Sequence, residues 1–252
     1  MLTLYKVKVN KLLITGFLVF CSLRSFSTCI AIYVAENGHI YVAADSRRTF
    51  FFNDGKDNNK VESICKIHNV GNNYFAISGF DDGGLLKAAT AALQQNSNID
   101  TAIKSFGTAM SKRYKLLMGD AKLFYPDKFR HFLNDGLADV SFFGFYNGTA
   151  NVVNVEFFCS LDKDGKVITT YKIRPIMALT VIGLSRDITN SKPEDLPTAA
   201  TMEQRPELYV EALVKIEAKM QPLAVSEPID LLELKPDGAV WIRKNEDEAV
   251  TY

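Results

Sequence analysis

Residues 28–49 read TCIAIYVAENGHIYVAADSRRT, a stretch that carries a clear local signal for β-structure. Two runs rich in β-branched and aromatic residues, CIAIYVA and HIYVAAD, flank the segment Glu36-Asn37-Gly38. Asn-Gly between two such runs is a strong hairpin signal, because the favoured two-residue turn requires a positive φ at both positions. The stretch therefore predicts an antiparallel hairpin whose second strand ends in Asp45-Ser46-Arg47.

Composition and charge exclude some classes of function. The chain has 252 residues, of which 47% are hydrophobic and 23% are charged, with a formal net charge of zero. This is the composition of a globular protein, and without a basic excess we expect no nucleic-acid partner. The histidines (His39, His68 and His131) are scattered and no Cys-x-x-Cys pair occurs. We therefore predict no metal site and no cofactor.

The first 27 residues differ from the rest. Three lysines within the first eleven residues precede the apolar run LLITGFLVFCSL, residues 12–23. A basic flank before a short apolar core is typical of a secretory signal peptide, and the run is shorter than the roughly 20 residues that span a bilayer. Small residues at the last and third-last positions of Ser25-Phe26-Ser27 place the cut before Thr28. Residues 1–27 are thus predicted to be a signal peptide and the protein to be exported, periplasmic or secreted.

Two alternatives to cleavage before Thr28 stay open. The leader could remain uncut as an anchor, in which case it would be the protein's contact with a membrane. Cys21 could also be a lipoprotein cysteine, although the bulky Phe20 before it disfavours that interpretation. After cleavage Cys29, Cys65 and Cys159 would remain. An odd number leaves at least one thiol outside any intramolecular disulfide, and the sequence does not say which.

Hydrophobic periodicity predicts the elements that follow the first hairpin. Their order is a second hairpin, two helices, a group of strands, a helix and a closing hairpin. The corresponding segments are the turn at Gly71-Asn72-Asn73, helices over residues 83–95 and 99–118, strands within 138–173 and 176–184, a helix over 206–220, and a turn at Pro236-Asp237-Gly238. Clustered antiparallel strands with helices between the clusters predict an α+β fold, with two stacked antiparallel sheets flanked by helices, in one domain over residues 28–252.

Two further predictions concern single segments. Residues 47–60, RRTFFFNDGKDNNK, are polar and rich in Gly and Asn after an aromatic start, so they are predicted to be a loop. The last helix is predicted to bury one apolar face. The residues of that face are Leu208, Ala212, Leu213, Ile216 and Met220.

The segments TCIAIYVAENGHIYVAADSRRT and CKIHNVGNNYFAISG, followed by a helix that opens with Gly-Gly, resemble the N-terminal half of a proteasome β-type subunit. That family belongs to the N-terminal nucleophile (Ntn) hydrolases. VSEPIDLLELKPDGAVWI resembles the late segment of the same family, so the resemblance extends over nearly all of the chain after the leader. It implies a four-layer αββα sandwich, a threonine-type peptidase activity on a peptide or small amide, and possible assembly into a homo-oligomer.

The chemistry of such a family begins at the chain end. A threonine hydroxyl is a weak nucleophile that needs an adjacent base, and a terminal residue carries one in its own α-amine. That amine titrates near pH 8, which suits proton transfer at neutral pH. Because the amine exists only after the preceding bond is cut, removal of the leader would expose Thr28 as the nucleophile.

The resemblance implies the remaining site residues. Asp45 of AADSR would orient the amine and hold a lysine, for which Lys66 is the best match and Lys60 the alternative. The backbone N–H of Gly79 in AISG would contribute to an oxyanion hole, since glycine lets a substrate approach the backbone closely. Ser185 in IGLSRD is what remains of a Gly-Ser-Gly-Ser-like segment of the family.

The register of the nucleophile leaves two candidates. The family has one residue fewer between the nucleophile and the aspartate, so that a count without a gap puts Cys29 in the nucleophile's place. Cysteine is a competent nucleophile, and the two side chains would point to opposite faces of the strand. Thr28 is favoured, because the predicted cut falls before it and one extra residue in a turn is easily accommodated.

Two functions of different classes follow. The first is an exported amide hydrolase of the threonine-peptidase type. The second is a catalytically inactive scaffold that keeps the sandwich as an assembly or interaction module. The second is favoured by Pro222 and Val225, which stand where the family has an aspartate and a serine.

Overall fold

The computed structural model describes residues 28–50, 60–80, 83–96, 98–133, 136–183 and 185–245. The predicted leader, residues 1–27, lies outside the described residues, and so do residues 51–59 of the predicted loop. The described part of the chain has an α+β fold with two antiparallel sheets and several helices. The predicted fold class is confirmed at this level.

The strands reproduce the predicted hairpins. In chain order they are β1 (Cys29–Val34), β2 (Ile40–Asp45), β3 (Arg47–Phe50), β4 (Lys60–Ser63), β5 (Ile67–Val70), β6 (Asn73–Gly79), β7 (Ala138–Tyr146), β8 (Thr149–Leu161), β9 (Val167–Pro175), β10 (Leu179–Gly183), β11 (Ile229–Lys235) and β12 (Gly238–Arg243). In the described residues one five-stranded sheet has the order β10-β1-β2-β11-β12 and another the order β5-β6-β7-β8-β9, while β3 and β4 form a two-stranded sheet.

Within the described residues, helices lie at the three predicted positions, near residues 83–95, 99–118 and 206–220, and at three positions that were not predicted. They are α1 (Gly84–Gln95), α2 (Ile99–Phe124), α3 (Pro126–Phe132), α4 (Arg186–Asn190), α5 (Ala199–Gln204) and α6 (Pro206–Met220), with a 3₁₀ turn over Pro193–Asp195. The α2 helix begins where the Asn98 side chain accepts the Thr101 N–H, as its cap chemistry dictates. It runs six residues past the predicted end at Met118. None of the helices in the described residues is long and apolar enough to cross a membrane.

Alternation along the strands separates three buried clusters. Ile30 and Ile32 of β1 pack with residues of the other large sheet, such as Ala76. Their neighbours Ala31 and Tyr33 pack instead with α6. The third cluster lies between the second sheet and helices α1–α3. Because successive strand residues face opposite sides, this arrangement is compatible with a sandwich of two sheets that carry helices on their outer faces.

The prediction of a loop over residues 47–60 was wrong at both ends. Arg47–Phe50 forms β3, which pairs with Lys60–Ser63 of β4. Backbone hydrogen bonds beside the pair hold it to the rest of the molecule, since the Ser46 N–H donates to the Pro228 carbonyl and the Ile64 N–H to the Ser46 carbonyl. Composition does not reveal such long-range pairing, because it is set by tertiary contacts.

The predicted buried face of the last helix was also wrong in part. Leu213 is buried, but Leu208 is 40% exposed and Met220 is 58% exposed. Two glutamates, Glu211 and Glu217, are buried in their place. A prediction from apolar periodicity assigns glutamates to solvent. The predicted buried face was therefore rotated about the helix axis relative to the observed one.

The aromatic packing under α2 provides a test of the fold. The Phe106 ring lies edge-on to the rings of Phe142 and Phe157, at centroid distances of 5.2 and 5.6 Å. Phe106→Ala should lower the free energy of unfolding by about 3–5 kcal/mol, because it leaves a cavity in this cluster. Urea denaturation measures the change. Leu116→Ala is the control on the same helix, since Leu116 is 73% exposed, and a loss as large as that of Phe106→Ala would contradict the packing.

Candidate active site

A buried ion pair lies where β2 ends. The Lys66 Nζ donates to Asp45 Oδ2 at 2.8 Å. The other oxygen, Asp45 Oδ1, accepts the backbone N–H of Cys29 at 2.7 Å. Asp45 is fully buried and Lys66 is 5% exposed. The structure thus brings together the predicted aspartate, the preferred lysine and the start of β1.

Local sequence places both partners. Asp45 is the last residue of β2, next to the Cys29 end of the antiparallel partner strand. Lys66 lies between Cys65 and Ile67, which are buried in the cluster between the sheets and hold this segment against β2. The alternative lysine, Lys60, is the first residue of β4, and its side chain lies outside what the structure describes.

Burial and charge oppose each other within the pair. Burial raises the pKa of Asp45, against the neighbouring Lys66 ammonium and the N–H donors of Cys29 and Arg47, which lower it. Burial likewise lowers the pKa of Lys66, against Asp45, which raises it. Removing either partner would leave the other charge buried without compensation, which is more costly than the pair itself.

A second polar network lies behind the pair. Ser46 Oγ donates to Asp230 Oδ2 at 2.9 Å, and the Asn245 N–H donates to Asp230 Oδ1 at 2.7 Å. Ser46 and Asp230 are fully buried. The negative charge of Asp230 also raises the pKa of Lys66, although less than Asp45 does. The sequence analysis did not predict that these residues form one network. Ser46 follows Asp45 directly, and Asp230 lies in the quoted PID segment, but nothing in the sequence links the two.

The two candidate nucleophiles have different surroundings. Cys29 is fully buried in the cluster between β1 and α6. Burial, and next the carboxylates of Asp45 and Glu217, raise the pKa of the Cys29 thiol. A thiol held protonated is a poor nucleophile. Alternation along the strand puts the side chain of Thr28 on the other face, with Ile30 and Ile32, toward the opposite sheet.

Two strands near the site end in glycines that allow a close backbone approach. Gly79 ends β6 at φ +97°, and a Cβ there would lie 2.7 Å from the Leu137 carbonyl oxygen. Gly183 ends β10 at φ +84°, and a Cβ there would lie 2.1 Å from the Thr28 carbonyl oxygen and 2.3 Å from Ser78 Oγ. Side chains are excluded at both positions, so the end of β6 lies against the start of β7 at Gly79, and the end of β10 lies against Thr28 at Gly183.

Ser185 has a local role in the described contacts. It precedes α4, and its carbonyl accepts the Thr189 N–H at 3.0 Å and the Thr189 hydroxyl at 2.8 Å. It follows by two residues Gly183, which lies against the Thr28 carbonyl.

Asp139 is an acid near the site that sequence reasoning missed. It lies on β7, opposite Ser78 of β6 and Glu156 of β8. Burial, and then the Glu156 charge, raise the pKa of Asp139 to about 6, although the Gly183 backbone N–H donates to its carboxylate. In the sequence Asp139 is one polar residue within a predicted strand, and nothing next to it marks it as part of a site. Its partners lie on β8 and β10, which are distant in sequence.

Neither a disulfide nor a metal cluster is found among the described residues. Within the described part of the chain, Cys29, Cys65 and Cys159 form no disulfide with one another, and all are buried. Over the same residues, no cluster of three or more His, Cys, Asp and Glu side chains is arranged to hold a metal ion.

Comparison with known proteins finds no family model and no curated protein that matches this chain. What the site can do is therefore inferred from its own geometry. It combines a buried acid–lysine pair, a strand start bonded to that acid, and backbone that crowds around Thr28.

Removing the charge of Lys66 tests the buried pair. Lys66→Met keeps much of the side-chain volume but leaves Asp45 buried without its counter-charge, so we expect the free energy of unfolding to fall by about 3–5 kcal/mol. Urea denaturation at pH 7 measures it. Combining the change with Asp45→Asn should recover part of the loss. Lys112→Met, at an exposed position of α2, should change stability by less than about 0.5 kcal/mol, and equal losses for both lysines would contradict the pair.

The raised pKa of Asp139 predicts a pH dependence of stability. In the folded chain Asp139 keeps a proton up to about pH 6, whereas an unfolded aspartate loses it near pH 4. The folded state therefore binds more protons between these values, and stability falls as pH rises through this window, by roughly 2–3 kcal/mol. Asp139→Asn removes this loss, since its amide oxygen can still accept the Gly183 N–H.

Denaturation at pH 4 and pH 7.5 checks this expectation. The Asp139→Asn variant should match the wild type at pH 4 and exceed it at pH 7.5. Asp120→Asn, at an exposed position on α2, is the control and should change little at either pH. A difference between the Asp139→Asn variant and the wild type that stays constant with pH would rule out a raised pKa.

Proposed function

We propose that the chain is an exported amide hydrolase of the Ntn type, with a four-layer αββα sandwich, that acts as a threonine-type endopeptidase. The observation that carries the proposal is the Lys66–Asp45–Cys29 chain of contacts, at 2.8 and 2.7 Å, immediately beside Thr28. Lys66 and Asp45 are two of the residues that the family resemblance implies. They meet at the strand start that cleavage before Thr28 would convert into a chain end.

The proposed reaction uses the freed α-amine as base. The amine accepts the proton of the Thr28 hydroxyl while Oγ attacks the carbonyl carbon of a peptide or small amide. The resulting oxyanion would accept a hydrogen bond from the backbone N–H of Gly79. The amine then returns the proton to the departing amine nitrogen, and water hydrolyses the ester left on Thr28.

Lys66 and Asp45 would act through charge and position. The Lys66 ammonium stabilises negative charge that develops at Oγ, and its own charge is maintained by Asp45. Asp45 also holds the Cys29 N–H, which sets the backbone position of the residue before it. The buried, helix-facing thiol of Cys29 supports Thr28 rather than Cys29 as the nucleophile.

A scaffold without activity is the second candidate, and one observation favours it. Pro222 and Val225 stand where the resemblance implies an aspartate and a serine. Val225 is fully buried in the cluster below α6, and the Pro222 carbonyl accepts a hydrogen bond from Arg47 Nη1 at 2.8 Å. Neither can replace the accessory acid or hydroxyl, so the site would work with fewer groups or not at all.

The identity of the nucleophile can be tested by covalent capture. Exported protein should begin at Thr28 by N-terminal sequencing, and incubation with a β-lactone should add one acyl group to that residue by mass spectrometry. Thr28→Ala should abolish the adduct, because the attacking hydroxyl is gone.

Cys29→Ala is the matched control and should keep the adduct. An adduct that survives Thr28→Ala but is lost in Cys29→Ala would move the nucleophile by one residue. A protein that begins at Thr28 and forms no adduct would favour the scaffold.

A further inference from the structure

Glu217 on α6 is a buried carboxylate that the proposed reaction leaves unused. It is fully buried, and its Oε1 accepts the backbone N–H groups of Asp187 and Ile188 at 2.8 and 3.0 Å. Its other oxygen, Oε2, has no hydrogen-bond partner among the described residues. Such a group is costly to bury, so it calls for a physical explanation.

The position of Glu217 is next to the start of β1. It follows Leu213 and Val214 on the buried face of α6, four and three residues further along the helix. Those residues pack in one cluster with Cys29 and Ile188. Glu217 is near enough to Cys29 for its charge to raise the pKa of that thiol. The unpartnered carboxylate thus lies near Cys29, the residue that directly follows the proposed chain end at Thr28.

Backbone geometry gives the direction of the Thr28 nitrogen. In an extended strand the N–H and C=O of one residue point to the same side, and those of the next residue to the other. The Cys29 N–H points to Asp45 of β2. The Thr28 carbonyl lies against Gly183 of β10. The Thr28 nitrogen therefore faces the β10 side, where the chain continues into α4 and meets Glu217.

We propose that Glu217 is a positioning residue that supplies the counter-charge for the α-amine of Thr28 once the chain is cut before that residue. This rests on the proposed function, because the amine exists only after the cut. Before the cut the Thr28 nitrogen belongs to a neutral peptide bond. Cleavage creates an ammonium beside it, and the new pair would hold the amine in place.

Other charges near this end of β1 do not substitute for Glu217. Asp45 is engaged by Lys66 and by the Cys29 N–H, and Asp139 lies on β7 of the other sheet beneath Gly183. Asp187 of α4 accepts from Gln221 Nε2 at 2.9 Å. Asp230 is held by Ser46 and by Asn245. Burial raises the pKa of Glu217 itself, against the two N–H donors that lower it, and the neighbouring Asp187 carboxylate also raises it.

The experiment compares the full chain with the product of cutting it before Thr28. Glu217→Gln keeps an oxygen for the Asp187 and Ile188 N–H groups but removes the charge. We expect cutting to raise Tm in the wild type by about 3 °C more than in Glu217→Gln, because the charge pair forms in the wild type only. Glu211→Gln is the control: Glu211 is buried on the same helix but is paired with Arg243 and Lys215.

The control should respond to the cut as the wild type does. An equal effect of cutting on Tm in wild type and Glu217→Gln would overturn the proposal, whatever the variant does to overall stability. Glu217→Asp keeps the charge and should retain at least part of the gain. A gain that Glu217→Asp and Glu217→Gln lose alike would mean a purely structural role for this side chain and would also overturn it.

A second measurement separates this proposal from the function on which it rests. The pH dependence of β-lactone acylation of the cut chain reports the pKa of the amine, and Glu217→Gln should shift its midpoint lower by about one pH unit. Acylation of Thr28 with an unshifted midpoint would overturn the role of Glu217 alone. If Thr28 is not acylated but the Tm difference is found, the charge pair stands and the peptidase proposal fails.

Discussion

The buried contact between Lys66 and Asp45 joins the two large sheets beside the start of β1. Two opposite charges are removed from water at the junction of both large sheets, with their donor and acceptor 2.8 Å apart. Such a pair adds little net stability, but it tolerates few alternatives, because any arrangement that separates the charges leaves both uncompensated. The end of β2 and the start of β5 are therefore held in one relative position.

The start of β1 takes its position from the same carboxylate. With one oxygen on Lys66 and the other on the Cys29 N–H, Asp45 fixes the backbone of the residue that follows Thr28. Gly183 closes the opposite side, since its missing side chain leaves room for the Thr28 carbonyl. The proposed chain end at Thr28 would need this kind of support, because a terminal residue has no preceding chain to hold it.

How far the sequence predicts the structure depends on the range of the interactions. The hairpin at Asn37-Gly38 and the α+β class follow from local turn chemistry and periodicity, and both are confirmed. The buried face of α6 and the strand at Arg47 were mispredicted, because Glu211 is buried by ion pairs with Arg243 and the Arg47 strand by pairing with β4. Asp45 and Lys66 could be named from a family resemblance, whereas Asp139 could not, because its partners lie on strands distant in sequence.

Thr28 and Cys29 differ in the direction of their side chains as well as in intrinsic reactivity. In water a thiol is the better nucleophile, since more of it is ionised at neutral pH. Here the thiol faces α6, where burial and the Asp45 and Glu217 carboxylates keep it protonated. The neighbouring hydroxyl faces the other sheet, where alternation places it on the side of the inter-sheet cluster. One step along the extended strand therefore separates a more reactive thiol, in surroundings that keep it protonated, from a weaker hydroxyl that the proposed chain end would activate.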